Sequence, residues 1–231
     1  MDFPRAIDGL TVFSPKGIVG DHQANFYFKA LNDSSGIIRD LLFKLNSSNS
    51  EFEVLARGTS SAAGFMSKPL IENNKIFWCD RTSGYRYNLN NSTNQILFTL
   101  TGGASILKGP YLIEDELFFA TQNGLYSYDL SNNLITERVS IQDSLGNGIA
   151  EVVLDSSSKK IYVITRGGGQ TGHGSLWSYE PSNMGVDVLM TFDQLNGVPS
   201  ESHSSRLLFD DKLYIPTGLG LLIYDVSSGD R

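Results

Sequence analysis

Short apolar runs, each broken by Gly, Asn, Asp or Ser, set the rhythm of this chain. KIFWC (from Lys75) is followed by a turn and then by GYRYNLN, in which large and polar residues alternate. An unbroken apolar run bounded by turn residues marks a strand covered on both faces, and strict alternation marks one with a wet face. The same pair returns as ELFFATQNGLYSYDLS from Glu116, KIYVITRGGGQTGHGSLWSYEPS from Lys160 and KLYIPTGLGLLIYDVSS from Lys212. A drifted copy, NFYFKALNDSSGIIRDLLFKLNS, starts at Asn25. Ahead of the later copies lie KPLIENN, PYLIEDE, EVVLDSSSK and SRLLFDD, apolar stretches ending in acidic or Asn turns. Behind the first four lie the alternating segments FEVLA, QILFTL, LITERVSI and VDVLMTF. No 3.6-residue apolar period persists beyond two turns, so the pattern predicts an all-β chain.

The landmarks of the aromatic-rich strand are Phe43, Tyr87, Tyr128, Tyr179 and Tyr224, separated by 44, 41, 51 and 45 residues. Repeats of roughly 40–50 residues built from four strands, A to D, are the signature of propeller blades. The expected fold is a five-bladed β-propeller of four antiparallel strands per blade, one domain over residues 1–231. The last copy lacks a D strand. Asp8 to Gly17, DGLTVFSPKG, resembles the other D segments, so the ring is expected to close by this N-terminal strand completing the last blade, which would remove open edges.

Composition narrows the function classes. A net charge of −7 and the lack of any basic run argue against nucleic-acid grooves and anionic membrane surfaces. No apolar run reaches the ~18–20 residues of a membrane span, so membrane insertion is not expected. The single cysteine, Cys79, permits no internal disulfide and is expected to be a small buried residue. The start MDFPRAIDGL has no signal-peptide character, leaving an intracellular or particle-bound role or a trimmed secreted domain. The Asn- and Ser-rich, Lys-poor composition leans toward an extracellular, cell-surface or virion-associated location.

Two resemblances rest on particular residues. KIFWCDR with RYNLNNS, Lys75 to Ser92, is similar to one blade of the YWTD-type propellers of the lipoprotein-receptor family. His173 to Gly218, HGSLWSYEPSNMGVDVLMTFDQLNGVPSESHSSRLLFDDKLYIPTG, resembles bacterial extracellular propeller repeats of the form GxGxxF…DxxLYxxT. Such glycine, aromatic and turn motifs specify shape; the resemblance implies a secreted or surface protein and no agreed activity.

The chemistry is sparse. Glycosidase, P-loop and zinc-protease signatures are absent, and GGGQTGHG reads as a long flexible hairpin loop. The acidic turns Glu72, Glu114, Asp115, Asp155, Asp210 and Asp211 read as turn formers on the face away from the ligand site. Aligning the A strands on Ile71, Ile113, Leu154 and Phe209 places Lys68, Pro110, Glu151 and Arg206 at the channel mouth. Asp80, Arg81, Gln122, Asn123, Arg166 and His173 join them from B–C loops, with His203 nearby. The expected ligand-binding set is Lys68, Glu151, Arg166, His173, His203 and Arg206, with no catalytic residues, no metal and no cofactor. The leading reading is a non-enzymatic binding or scaffold module for a protein or glycan ligand. One alternative is a glycosidase-like enzyme using Glu151 with Asp21 or Asp80; another is a structural component of a virus particle or surface assembly.

Overall fold

The computed structural model describes residues 6–7, 10–34, 37–60, 68–141, 144–193 and 207–228. They form five sheets in chain order. The first holds β1 (Ala6–Ile7), β2 (Leu10–Gly20), β3 (Asn25–Ser34), β4 (Ile37–Asn46) and β5 (Glu51–Arg57). The second holds β6 (Leu70–Glu72), β7 (Lys75–Cys79), β8 (Ser83–Asn88) and β9 (Thr93–Thr99). The third consists of β10 (Ile106–Ile113), β11 (Glu116–Thr121), β12 (Gly124–Asp129) and β13 (Ile135–Ser140). The fourth consists of β14 (Asn147–Asp155), β15 (Lys160–Gly167), β16 (Ser175–Glu180) and β17 (Gly185–Thr191). The fifth has three strands, β18 (Leu207–Phe209), β19 (Lys212–Thr217) and β20 (Gly220–Asp225).

The chain divides into two compact units, Met1–Thr121 with Tyr126–Thr136, and Gln122–Leu125 with Glu137–Arg231. In the first unit Tyr27, Leu42, Trp78, Tyr85 and Tyr87 pack together, with Trp78 stacked on Tyr85 at 4.3 Å. A second cluster joins Phe77, Phe98, Leu117, Phe119 and Tyr128, and Phe98 stacks on Phe119 at 4.7 Å. In the second unit Ile164, Leu176, Met190, Leu213, Ile215 and Tyr224 form the core. Strands β7, β11 and β15 are buried almost throughout, whereas β9 and β17 each bury a single residue, the inner and outer characters that the pattern of apolar positions predicts.

Backbone details repeat more faithfully than side chains. The N–H just after β4, β8, β12 or β20 donates to the carbonyl just ahead of β3, β7, β11 or β19: Ser47 to Ala24, Leu89 to Asn74, Leu130 to Asp115 and Val226 to Asp211, at 2.8–3.3 Å. In the fourth sheet the equivalent residue is Pro181, which has no N–H to give. The pairs β4–β5, β8–β9 and β16–β17 also share a bulge, between Leu42 and Phe43, Gly84 and Tyr85, and Leu176 and Trp177. Across from it the outer strand always has an extra leucine (Leu55, Leu97 or Leu189), followed by a buried apolar residue, Ala56, Phe98 or Met190.

Three expectations shift. Among the described residues the expected closing strand lies in the first sheet: Leu10–Gly20 runs beside Asn25–Ser34, from Thr11↔Asp33 to Gly20↔Phe26. Pro15 and Gly17, which look like a break, fall in a stretch of register shifts, so one long bulged strand replaces a D strand plus an A strand. Pairing with the next segment closes a short loop, at less entropy than pairing with the far end of the chain. The landmark of the first copy is Leu45 and not Phe43, because Asn25↔Asn46 matches Lys75↔Asn88. The A-strand alignment also slips by one in two blades: Ile71 faces Ile76, and its counterparts are Leu112, facing Leu117, and Leu208, facing Leu213. A one-residue slip moves a side chain to the other face of a strand. Lys68 therefore matches Gly109 and not Pro110.

One glycine tests the packing of an outer strand. A Cβ on Gly124 would stand 2.1 Å from the carbonyl oxygen of Val139, a backbone atom that can yield only if β13 moves. Gly124→Ala is expected to cost about 1–3 kcal/mol in urea denaturation; an unchanged midpoint would mean that β13 shifts freely.

Candidate functional site

At the B–C loop end of the first unit, charges are locked inward. Lys29 and Asp40 pair at 3.2 Å with 1% and 0% of their side chains exposed, and the Lys29 ammonium also donates to the Cys79 carbonyl at 3.3 Å. Next to them Asp80, 1% exposed, accepts from the backbone N–H of Ser60, Thr82 and Ser83 at 2.7–2.9 Å and from the Tyr85 hydroxyl at 2.6 Å. Burial, then the bond to Asp80, pushes the Tyr85 hydroxyl up to about 12. Burial likewise pushes the Cys79 thiol up to about 12, so this cysteine is an inert, packed thiol. Asp80 therefore braces the loop Gly58–Ser60 against the second sheet and does not face solvent.

Asp21 is similarly committed. It sits in the β2–β3 turn and accepts from Gln23 N–H (2.8 Å), Asn25 N–H (3.0 Å), Asn25 Nδ2 (2.9 Å) and the Tyr27 hydroxyl (2.9 Å). Burial alone would raise its pKa, but the bonds from Asn25, Tyr27 and Gln23 outweigh it and hold the carboxyl below the usual range. Asp21 thus acts as a brace for the β2–β3 turn.

A cleft of about 610 Å³ opens beside this turn in the first unit, bounded by Asp21, His22, Lys44, Glu72, Asn74 and Asn90. Its walls are the β2–β3 and β6–β7 turns, with Lys44 from β4 and Asn90 from the β8–β9 turn. A smaller groove of about 340 Å³ opens between Glu72, Lys75, Glu114 and Asp115. The second unit has one of about 540 Å³, lined by Asp155, Ser157, Phe209, Asp210 and Asp211. The acidic turns do form turns: Asn73, Asn74, Glu114, Asp210 and Asp211 take positive φ, and Asp155 accepts from Ser157 and Ser158. They also line concave surface on the face that the sequence reading sets aside. His22 and Lys44 escape that reading because a lone His and Lys in separate strands carry no spacing signal.

The sequence-derived set is only partly brought together. Glu151 and Arg166 share one face of the fourth sheet: Glu151 stands opposite Ile164, and Arg166 lies two residues beyond it. Glu151 is half-buried and accepts from the N–H of Val152 at 3.1 Å, whereas Arg166 is exposed. His173, half-buried, closes the loop beyond Arg166 through a backbone bridge to Gly168. That loop is tied down, not loose: Gly174 N–H donates to the Gly168 carbonyl at 2.9 Å, and the Thr171 hydroxyl to the Phe192 carbonyl. Lys68 is exposed in the first unit, against Gly17. His203 and Arg206 lie outside the described residues.

No family model matches the sequence, and no curated protein matches it. Solved structures do. A chain of a nidogen/laminin complex aligns with TM-score 0.60 at 14% identity, covering 94% of this chain and 77% of that one. The extracellular domain of a candidate one component system from B. thetaiotaomicron aligns with TM-score 0.61 at 18% identity, over 95% of this chain and 27% of that one. An oligogalacturonate lyase in complex with manganese aligns with TM-score 0.61 at 9% identity, over 94% and 66%. The fold is a five-bladed β-propeller. Likeness at these identities carries fold and nothing chemical. The propeller offers polar grooves at the turn end of its blades and a small charged cluster at the loop end of the fourth.

Proposed function

We propose that this propeller is a non-enzymatic binding module of a secreted or surface protein, and that it holds a protein partner at the turn end of its blades. The observation that carries the reading is the cleft of about 610 Å³ among Asp21, His22, Lys44, Glu72, Asn74 and Asn90. It is polar, lies within the size range of ligand sites, and is built from turns fixed on rigid sheets, where recognition surfaces usually reside. Asp21, in the cleft wall, and Asp80 are held in structural roles, each accepting four hydrogen bonds within the protein. The extracellular setting of one similar structure supports the location. Glu151, Arg166 and His173 form a second, smaller contact surface in this reading, and residues 1–231 act as one domain.

A panel of immobilised extracellular proteins and glycans tests it. Wild-type protein is compared with a His22→Ala/Lys44→Ala/Glu72→Ala variant and a Glu151→Ala/Arg166→Ala/His173→Ala variant, all with equal melting temperatures. Capture of a protein lost only in the first variant is the expected result. Loss only in the second moves the site to the loop end, glycan capture replaces the partner class, and no capture at all overturns the reading.

A further inference from the structure

The turn between β8 and β9 presents a reactive group that the cleft does not use. Asn91-Ser92-Thr93 is an Asn-x-Ser/Thr triplet, the acceptor pattern for attachment of a glycan to an asparagine amide. Four such triplets occur, beginning at Asn32, Asn46, Asn90 and Asn91. In a chain this rich in Asn and Ser a triplet alone decides nothing, so accessibility and geometry have to choose among them. We propose that Asn91 is an N-glycosylation acceptor. The proposal rests on the reading of the chain as part of a secreted or surface protein.

Asn91 meets both conditions. Every residue from Asn90 to Ile96 is exposed, and Ser92 takes a φ of 55°, which turns the chain between the two strands. The Thr93 hydroxyl donates to Asn91 Oδ1 at 2.7 Å, and the Thr93 N–H donates to the same oxygen at 3.3 Å. These bonds hold and polarise the amide through its oxygen. Its nitrogen, Nδ2, has no partner among the described residues and stays available. The other three asparagines fall short. Asn32 stands inside β3, paired with Val12 on one side and Arg39 on the other. Asn46 has similar bonds from Ser48, at 2.6 and 3.0 Å, but is half-buried at the end of β4 between Asn25 and Glu51. Asn90 lines the cleft, and its Oδ1 accepts from Asn74 Nδ2 at 3.4 Å, not from the hydroxyl of its own triplet.

The co-substrate is an oligosaccharide carried on a polyprenyl diphosphate, delivered by a transferase. The bond from Asn91 Nδ2 to the sugar C1 forms as the bond from C1 to the diphosphate oxygen breaks. The lipid diphosphate leaves, and one Nδ2 proton passes to a base of the transferase. Because Leu89 and Asn90 belong to the cleft of about 610 Å³, the attached glycan stands at its rim.

The protein purified from its natural source, with cells and surroundings kept separate, is treated with peptide N-glycosidase and mapped by mass spectrometry. The expected result is protein outside the cell or on its surface, with a glycan released from Asn91. Asn91 bare in protein found there overturns the proposal and leaves the location standing. Protein found only inside the cell overturns the location, and the proposal with it. A glycan on Asn46 or Asn90 in place of Asn91 also overturns it, because exposure and turn geometry would not then select the site. A second arm gives the folded full chain to a purified oligosaccharyltransferase with its lipid-linked oligosaccharide. Modification is expected at Asn91 and not at Asn32, Asn46 or Asn90, to persist in Thr93→Ser, and to be lost in Asn91→Gln and Thr93→Val. Thr93→Val keeps the side-chain shape and the backbone N–H at an exposed position, so the fold is not at stake. Modification of Thr93→Val at the wild-type rate would overturn the role of the hydroxyl, and with it the choice of Asn91.

Discussion

Replacing Asp40 with alanine is expected to destabilise the protein by about 3–5 kcal/mol, because it leaves the Lys29 ammonium charged, buried and without its counter-charge. Both side chains are sealed from water, 1% and 0% exposed, so solvent cannot substitute for the lost carboxylate. The Cys79 carbonyl at 3.3 Å supplies one acceptor, which falls short of a full negative charge. The paired substitution Lys29→Met/Asp40→Leu is expected to recover most of the loss, since swapping a buried ion pair for apolar side chains of similar volume is often neutral. Urea denaturation of the two variants decides the matter. If Asp40→Ala costs less than about 1 kcal/mol, the ammonium is being solvated and the pair is not sealed.

The second large effect is expected at Asp80. Asp80→Ala strands the N–H groups of Ser60, Thr82 and Ser83 and the hydroxyl of Tyr85 in a site that is 1% exposed. A buried donor left without an acceptor costs about 1–3 kcal/mol, so a loss of roughly 3 kcal/mol or more is expected, with smaller damage in Asp80→Asn, which keeps one acceptor oxygen. Tyr85 retains its bond with Thr59, so part of the loop's anchorage survives. Thermal unfolding with Tyr85→Phe as a reference separates the two: a loss in Asp80→Ala no larger than in Tyr85→Phe would mean that the three backbone bonds contribute nothing. Lys29, Asp40 and Asp80 meet around Cys79, so the Asp40 and Asp80 effects are expected to be non-additive.

Much of the fold was legible because it is written in local periods. KIFWC, ELFFAT and KIYVIT declare themselves as doubly covered strands, and each lies in the inner part of its sheet. In the N-terminal strand SPKG looks like a turn, whereas a bulged strand absorbs Pro15 and Gly17 without breaking. Asp80 was misread for another reason. It follows an apolar run as loop residues do, but one of its donors is the N–H of Ser60, 20 residues upstream, and such a partner leaves no trace in local pattern. Lys29 did leave a trace: in NFYFKAL it fills a position where the second and fourth copies have Cys79 and Ile164, both buried. A charge in a doubly covered strand requires a counter-charge, and Asp40, embedded in IIRDLLF, was available. The turn-end cleft was illegible because its walls come from different repeats, and their mutual register is set only by packing.

The recurring bond that closes each blade corner links two backbone atoms, so any residue with an N–H can supply it: serine, two leucines and a valine do so here. What passes from copy to copy is thus a main-chain arrangement with little preference for the letters that carry it. Duplicated units under such a rule diverge quickly in spelling and slowly in shape. The fourth unit went further: with Pro181 in the donor position its corner lost even that tie, and it is also where the spacing between landmarks stretches to 51 residues. Ancestry in a chain of this kind is better traced through conserved hydrogen-bond positions than through conserved residues.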